Sequence, residues 1–115
     1  MNYNLLMHVD LDEPKRIHIL VDNITNYLVA LPDQDVQVAV VANGPAVKFF
    51  TKENCPVVEA LEKLATQKVS FRICANALRK FQITPEQLLP QCTIVPAGIL
   101  EIVRLQRENF AYIKP

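Results

Sequence analysis

Short apolar segments alternate with amphipathic segments along the whole chain, and this alternation restricts the possible folds more than any other feature. The apolar segments are rich in β-branched residues and occupy residues 5–9, 36–42, 68–73, 92–96 and 111–114. Strands that are apolar almost throughout must be covered on both faces, as parallel sheets are. The pattern therefore predicts an α/β fold, a three-layer α/β/α sandwich in which right-handed crossovers connect the strands of a single domain, residues 1–115.

The segments between these strands carry the signals of helices. Residues 12–31 begin with Asp-Glu-Pro, which suits a helix cap and first turn, and continue with apolar residues every three or four positions. A proline follows directly and ends the helix. Further helical segments are predicted over residues 46–50, from residue 54 onward, over 76–81, near 84–87 and from residue 99 onward.

Composition excludes several classes of function. Half of the residues are hydrophobic, and 12 basic side chains balance 12 acidic ones without forming a basic stripe. The balance argues against a nucleic-acid partner and leaves little charge to prevent self-association. Three cysteines do not form a disulfide framework, which indicates free thiols in a reducing compartment. We find no signal-peptide pattern and no apolar stretch of about 20 residues, so we expect a cytoplasmic protein with no membrane partner.

Cys74 lies where the third predicted strand ends and a short helix begins. The unpaired N–H groups at a helix start favour the thiolate, which is the reactive form of cysteine. Arg72 and Arg79 flank the thiol in the sequence and are candidates to strengthen this effect. The alternative is that Cys74 is a small apolar core residue, as free cysteines often are.

Polar, reactive or small residues follow several of the predicted strands at the carboxyl edge, where open α/β sheets bind ligands. They are His8, Asp10, Asn43, Gly44, Cys74 and Gly98. His8 is a candidate acid or base for the thiol, since histidine titrates near neutral pH, or a hydrogen-bonded residue at a strand end. Asn43 and Gly44 serve turn geometry or leave room beside Cys74. Gly98 opens a helix whose N–H groups suit an anion.

The other two cysteines are weaker candidates. Cys55 precedes a proline at a predicted helix start and is a candidate resolving or secondary thiol, whereas Cys92 enters a strand at the opposite edge and is expected to be a core or boundary residue. No C-x-x-C pair and no histidine at ligand spacing accompany them, so neither a zinc site nor a dithiol redox site is predicted. Phosphate-binding glycine motifs are also missing, and we expect no cofactor and no metal.

Two segments resemble the DsrE/DsrF-like family. Residues 72–79, RICANALR, are similar to its C-x-N-[ST/A]-L-[RK] segment. Residues 95–99, VPAGI, and 104–115, RLQRENFAYIKP, resemble the end of its small single-domain members. Together with the early strand–Asp–helix unit and the stretch from Asn43, the resemblance covers nearly the whole chain.

The resemblance implies a mostly parallel five-stranded sheet and assembly into homotrimers or homohexamers. It further implies that Cys74 carries sulfane sulfur as a persulfide between sulfur donor and acceptor proteins, a possible sulfurtransferase role. Asn76 is then a candidate to orient the sulfur, and His8 to shuttle a proton. Two alternatives stay open: an oligomeric small-ligand-binding module without catalysis, in which Cys74 only lines the crevice, and a purely structural oligomer.

Overall fold

The computed structural model describes residues 2–115 and contains one five-stranded sheet. The strands are β1 (Leu5–Val9), β2 (Val38–Ala42), β3 (Val69–Cys74), β4 (Cys92–Val95) and β5 (Ala111–Ile113). They lie in the order β4-β3-β2-β1-β5, and every neighbouring pair is parallel. The expected α/β fold with a five-stranded, mostly parallel sheet is therefore confirmed, and the sheet is parallel throughout.

Helices cover both faces of the sheet, unequally. They are α1 (Pro14–Ala30), α2 (Val58–Thr66), α3 (Ala75–Lys80) and α4 (Gly98–Arg107), with short 3-10 helices at Gly44–Phe50 and Pro85–Gln87. One core cluster joins the first three helices and the longer 3-10 helix to one sheet face. On the other face, within residues 2–115, only α4 packs over β1 and β2. The buried residues of this second cluster are Leu6, Ala39, Val41, Ile102, Leu105 and Phe110. None of the helices among residues 2–115 is long and apolar enough to cross a membrane.

The apolar spacing of α1 explains how the larger core forms. Ile17, Leu20 and Ile24 recur at intervals of three and four, and each is at most 1 % exposed. Burying a side chain of this size stabilises the fold by about 1.5–3 kcal/mol. Pro14 begins the helix as predicted, because a proline at the first helical position gives up an N–H that has no partner there.

Two predicted boundaries are wrong. Helix α2 begins at Val58 and not near residue 54. A residue before proline is disfavoured in the helical region, and Cys55 precedes Pro56. Residues 51–55 form a turn instead, in which the backbone N–H of Cys55 donates to the carbonyl of Thr51. The second strand begins at Val38, two residues later than expected. By contrast, the helical segment expected over residues 46–50 is confirmed as part of the longer 3-10 helix.

Candidate functional site

Several of the predicted site residues meet at the carboxyl edge of the sheet. His8 lies near the end of β1, Asn43 directly follows β2, and Cys74 ends β3. These three strands are neighbours, so their ends are adjacent in space. Gly98, the first residue of α4, packs against both Asn43 and Cys74. The candidate site therefore lies at the carboxyl edge, where open α/β sheets bind ligands.

Cys74 joins β3 to α3. It pairs with Val95 of β4 and is the residue that precedes the first turn of α3, with φ −68° and ψ 120°. The predicted strand-to-helix junction is thus confirmed. The residue is only 6 % exposed, which is more covered than an open position at the rim would be. The start of α4 adds to this cover, since a β-carbon built on Gly98 would lie 3.3 Å from that of Cys74.

A chain of hydrogen bonds runs along the edge from β5 to β2. The Tyr112 hydroxyl lies 2.6 Å from Nδ1 of His8, and Nε2 of His8 lies 2.8 Å from Oδ1 of Asn43. His8 is 7 % exposed and uses both ring nitrogens in these contacts. His8 therefore makes the contacts expected of a hydrogen-bonded residue at a strand end. These hydrogen bonds connect Tyr112 to Asn43, the residue beside Gly98.

Both glycines of the chain lie at this edge, for different reasons. Gly44 has φ +55°, a conformation that side chains disfavour, and a β-carbon there would also lie 3.0 Å from the carbonyl oxygen of Asp10. Gly98 needs no unusual backbone angle. A β-carbon on it would lie 3.0 Å from that of Asn43, so it is the space that requires glycine. Gly44 thus serves turn geometry, and the room beside Cys74 that was expected from Asn43 and Gly44 is left by Gly98 instead.

The flanking arginines are engaged elsewhere. Arg72 lies 2.6 Å from Glu101 of α4 and also donates to the hydroxyl of Ser70. Arg79 donates to the side-chain oxygen of Asn76. A hydrogen bond from Arg104, followed by one from Arg72, lowers the pKa of Glu101. Among the hydrogen bonds of residues 2–115, neither guanidinium and no Asn76 side-chain atom contacts the Cys74 sulfur, so the structure does not bring these three predicted site residues to it.

Cys55 and Cys92 lie away from the carboxyl edge. Cys92 opens β4 at the amino edge, as predicted, and its sulfur is 3.9 Å from the carbonyl oxygen of Phe50. Burial, and then the nearby Cys55, raise the pKa of Cys92 to about 12. Burial also raises the pKa of Cys55. The helix-start argument for Cys55 does not hold, because α2 begins three residues after it.

Sequence reasoning did not single out Tyr112 as a site residue. Its hydroxyl reaches His8 because β5 is the parallel neighbour of β1, with Tyr112 in register with Leu6 and on the same face as His8. The signal needed to find it was the strand order, which places the last strand beside the first. In the described part of the chain, residues 2–115, no three His, Cys, Asp or Glu side chains are grouped to hold a metal ion.

Comparison with known proteins agrees with this architecture. The chain is similar to MTH1491, a protein of unknown function from Methanobacterium thermoautotrophicum, with 31 % identity, a TM-score of 0.91 and coverage of 99 % of this chain and 100 % of that one. It is also similar to BT1422, a conserved protein of unknown function from Bacteroides thetaiotaomicron, with a TM-score of 0.75 over 97 % and 94 % of the two chains. Their 8 % identity shows a shared fold alone.

No curated protein matches the chain. The model of the DsrE/DsrF-like family, however, matches residues 20–115, which is most of the sequence and includes β2 to β5 with Cys74. The chain therefore belongs to the DsrE/DsrF-like family.

Proposed function

We propose that the protein carries sulfane sulfur as a persulfide on Cys74 and passes it to an acceptor thiol. The observation that carries the proposal is the position of Cys74 against two helix starts, those of α3 and of the ten-residue α4. The first N–H groups of a helix have no partner within it and carry partial positive charge. Negative charge beside such groups is favoured, and the backbone places the β-carbon of Cys74 next to both helix starts. Membership in the DsrE/DsrF-like family agrees with this role.

The proposed reaction is an exchange between thiols and persulfides. The Cys74 thiolate attacks the outer sulfur of a donor persulfide, R–S–SH. A new S–S bond forms to Cys74, the donor S–S bond breaks, and R–S⁻ leaves with the bonding electron pair. The proton stays on the transferred sulfur, which afterwards exchanges it with solvent. An acceptor thiolate then attacks the same outer sulfur and releases the Cys74 thiolate. Both steps are redox-neutral overall and need no cofactor, in keeping with thiol exchange chemistry.

The burial of Cys74 bears on which partners can react. With 6 % exposure, the Cys74 side chain is largely shielded from solvent, so a donor must bring its terminal sulfur close to the carboxyl edge to react. Shielding protects a sulfane sulfur from stray thiols. The same burial is the observation that favours the alternative function, a module that binds a small ligand in the crevice with Cys74 only lining it. The two functions differ in whether a covalent bond forms at Cys74.

Self-association through α4 is part of the proposal. Ile99, Leu100 and Val103 are 65 %, 61 % and 42 % exposed, and their spacing places them on one side of the helix. The formal charge of the chain is zero, so little long-range repulsion opposes contact between copies. We infer that this apolar surface, beside Gly98 and the candidate site, is buried against further copies of the chain in a homotrimer or homohexamer.

The deciding experiment is incubation with glutathione persulfide, followed by mass spectrometry of the intact protein and its peptides. A variant with Cys55→Ser and Cys92→Ser retains only Cys74 and should gain the mass of one sulfur atom, which cyanide then removes as thiocyanate. Adding Cys74→Ser should abolish the gain. Serine is a favourable residue before a helix, so this variant should fold. Equal uptake by the Cys74→Ser variant would refute the carrier function, and no uptake by any variant would leave the binding module.

A further inference from the structure

The hydrogen-bond chain Tyr112–His8–Asn43 fixes the orientation of a side-chain amide beside Cys74. Its two contacts are 2.6 Å, between the Tyr112 hydroxyl and Nδ1 of His8, and 2.8 Å, between Nε2 of His8 and Oδ1 of Asn43. The middle member is buried, at 7 % exposed, so water does not compete freely for its ring nitrogens. The backbone N–H of Asn43 also donates to the carbonyl of Val9, which holds the start of the amide side chain in place.

The acceptor-only oxygen of Asn43 sets the direction of one hydrogen bond, and a neutral imidazole then sets the direction of the other. Oδ1 of Asn43 is only an acceptor, so Nε2 of His8 must carry the proton of that contact. In the neutral imidazole the other nitrogen, Nδ1, is then bare and accepts. The Tyr112 hydroxyl therefore donates to His8, and His8 donates to Asn43. With Oδ1 held by His8, the Nδ2 amino group of Asn43 is turned away from the histidine.

The free amino group belongs to a residue that shares its space with Cys74. The β-carbons of Asn43 and Cys74 lie 3.0 Å and 3.3 Å from the same point, the position of a β-carbon built on Gly98. None of the hydrogen bonds among residues 2–115 uses Nδ2 of Asn43, although the residue is half-buried. An N–H donor without a protein acceptor, on a residue packed beside Cys74, is suited to an anionic atom bound at that thiol.

We propose that Asn43 donates a hydrogen bond from Nδ2 to the negatively charged outer sulfur of a persulfide on Cys74, and that His8 and Tyr112 are positioning residues for Asn43. This inference rests on the proposed function and names what the site recognises, an anionic sulfane sulfur. Without the hydroxyl of Tyr112, His8 loses the hydrogen-bond donor that keeps Nδ1 unprotonated. Its other tautomer then turns Nε2 into an acceptor, and the amide of Asn43 reverses to present an oxygen toward the sulfur.

The test compares persulfide exchange equilibria in the variant that retains only Cys74. Protein is equilibrated with fixed ratios of glutathione persulfide to glutathione, and the loaded fraction is measured by mass spectrometry. Asn43→Asp keeps an oxygen for His8 but replaces the amino group with a carboxylate oxygen, and it should lower the exchange constant at least about tenfold, the effect of about 1.4 kcal/mol. Tyr112→Phe should lower it severalfold. Two control variants should leave the exchange constant unchanged. Asn23→Asp alters an exposed position of α1, and Tyr3→Phe alters a half-exposed tyrosine.

A second measurement separates orientation from mere stability. Long-range ¹H–¹⁵N correlation spectra should show His8 as the Nε2–H tautomer in the parent protein and a mixture of tautomers in Tyr112→Phe, with exposed His18 as the internal reference. An Nδ1–H tautomer in the parent, or equal exchange constants in the parent, Asn43→Asp and Tyr112→Phe, would overturn this inference alone. If the parent takes up no sulfur, the proposed function falls and this inference with it.

Discussion

Gly98 packs against Asn43 so closely that a β-carbon on the glycine would lie 3.0 Å from that of the asparagine. The contact brings the first turn of α4 down onto the end of β2, and the same missing side chain brings it onto Cys74 at the end of β3. The site is thus assembled by the absence of a side chain as much as by the polar groups around it.

Gly98→Ala should therefore disturb both the fold and the site. The added methyl group forces Asn43 and Cys74 apart, and overpacking of this kind costs about 1–3 kcal/mol. We expect the free energy of unfolding, measured by urea denaturation, to fall by that amount and the uptake of sulfur to fall with it.

Gly44→Ala is the matched comparison. It strains a backbone at φ +55° and meets the carbonyl oxygen of Asp10, so it should lower stability by about 1–2 kcal/mol. Its methyl group does not approach Cys74, so sulfur uptake by the folded variant should be retained. Equal loss of uptake in both glycine variants would contradict a specific role for the space at Gly98.

The ion pair of Glu101 with Arg72 and Arg104 should make stability depend on acidity. These arginines lower the pKa of Glu101 from its ordinary 4.5. As the pH falls below that value the unfolded chain binds the proton first, so the contribution of Glu101 is present above pH 4.5 and is lost as the pH falls through the lowered pKa. Glu101→Gln should remove this dependence and cost about 1–3 kcal/mol at pH 7, because Arg72 loses a charged partner.

Urea midpoints measured from pH 7 to pH 3 test this prediction. The difference between the parent and Glu101→Gln should shrink as the pH falls. Glu108→Gln is the control, since Glu108 also pairs with Arg104 but is about half exposed. A constant difference across the pH range would show that the charge of Glu101 does not stabilise the fold.

The raised pKa of Cys92 predicts slow alkylation in the folded protein. A pKa of about 12 in place of 9.0 leaves about a thousandfold less thiolate at pH 8, and the thiolate is the form that reacts. Iodoacetamide should therefore label Cys92 two to three orders of magnitude more slowly in the native protein than in urea, as read from peptide masses. The sign for stability is the opposite of that for Glu101: the contribution of Cys92 is present below pH 9 and is lost as the pH rises toward 12.

Equal labelling rates of Cys92 in native and urea-unfolded protein would contradict its burial. Cys55 serves as the internal comparison, because its pKa is also raised by burial but it lies in the turn before α2. It should be labelled faster than Cys92 in the native state.

Local patterns were sufficient to predict the strands and the position of Cys74. The run of apolar residues at Val38–Ala42 can be buried on both faces only inside a layered fold, and the change of pattern after Ile73 places a helix start at Cys74. The start of α2 was missed because Pro56 is compatible both with a first helical turn and with the turn that precedes one. The hydrogen bonds of residues 51–55 decide between the two, and a linear pattern does not contain them.

The polar network was beyond the reach of the sequence for a related reason. His8 and Tyr112 are more than one hundred positions apart, and only the placement of β5 beside β1 brings them together. Arg72 and Arg79 are close to Cys74 in sequence, but their side chains leave in other directions, toward Glu101 and Asn76. Proximity along the chain thus predicted the strand-to-helix junction at Cys74 but not the hydrogen-bond partners of the two arginines.

The exposed apolar surface of α4 leads to the last prediction. Leu100 is 61 % exposed beside Ile99 and Val103, and burying such a surface between copies is favourable by about 25 cal/mol for each Å². Leu100→Lys places a charge in that contact and should shift the protein to monomer at micromolar concentration, as measured by light scattering. Val29→Lys is the matched control, because Val29 is 73 % exposed on α1, on the opposite face of the sheet, and its change should leave the assembly intact. A parent protein that is already monomeric, or an assembly that only Val29→Lys disrupts, would contradict association through α4.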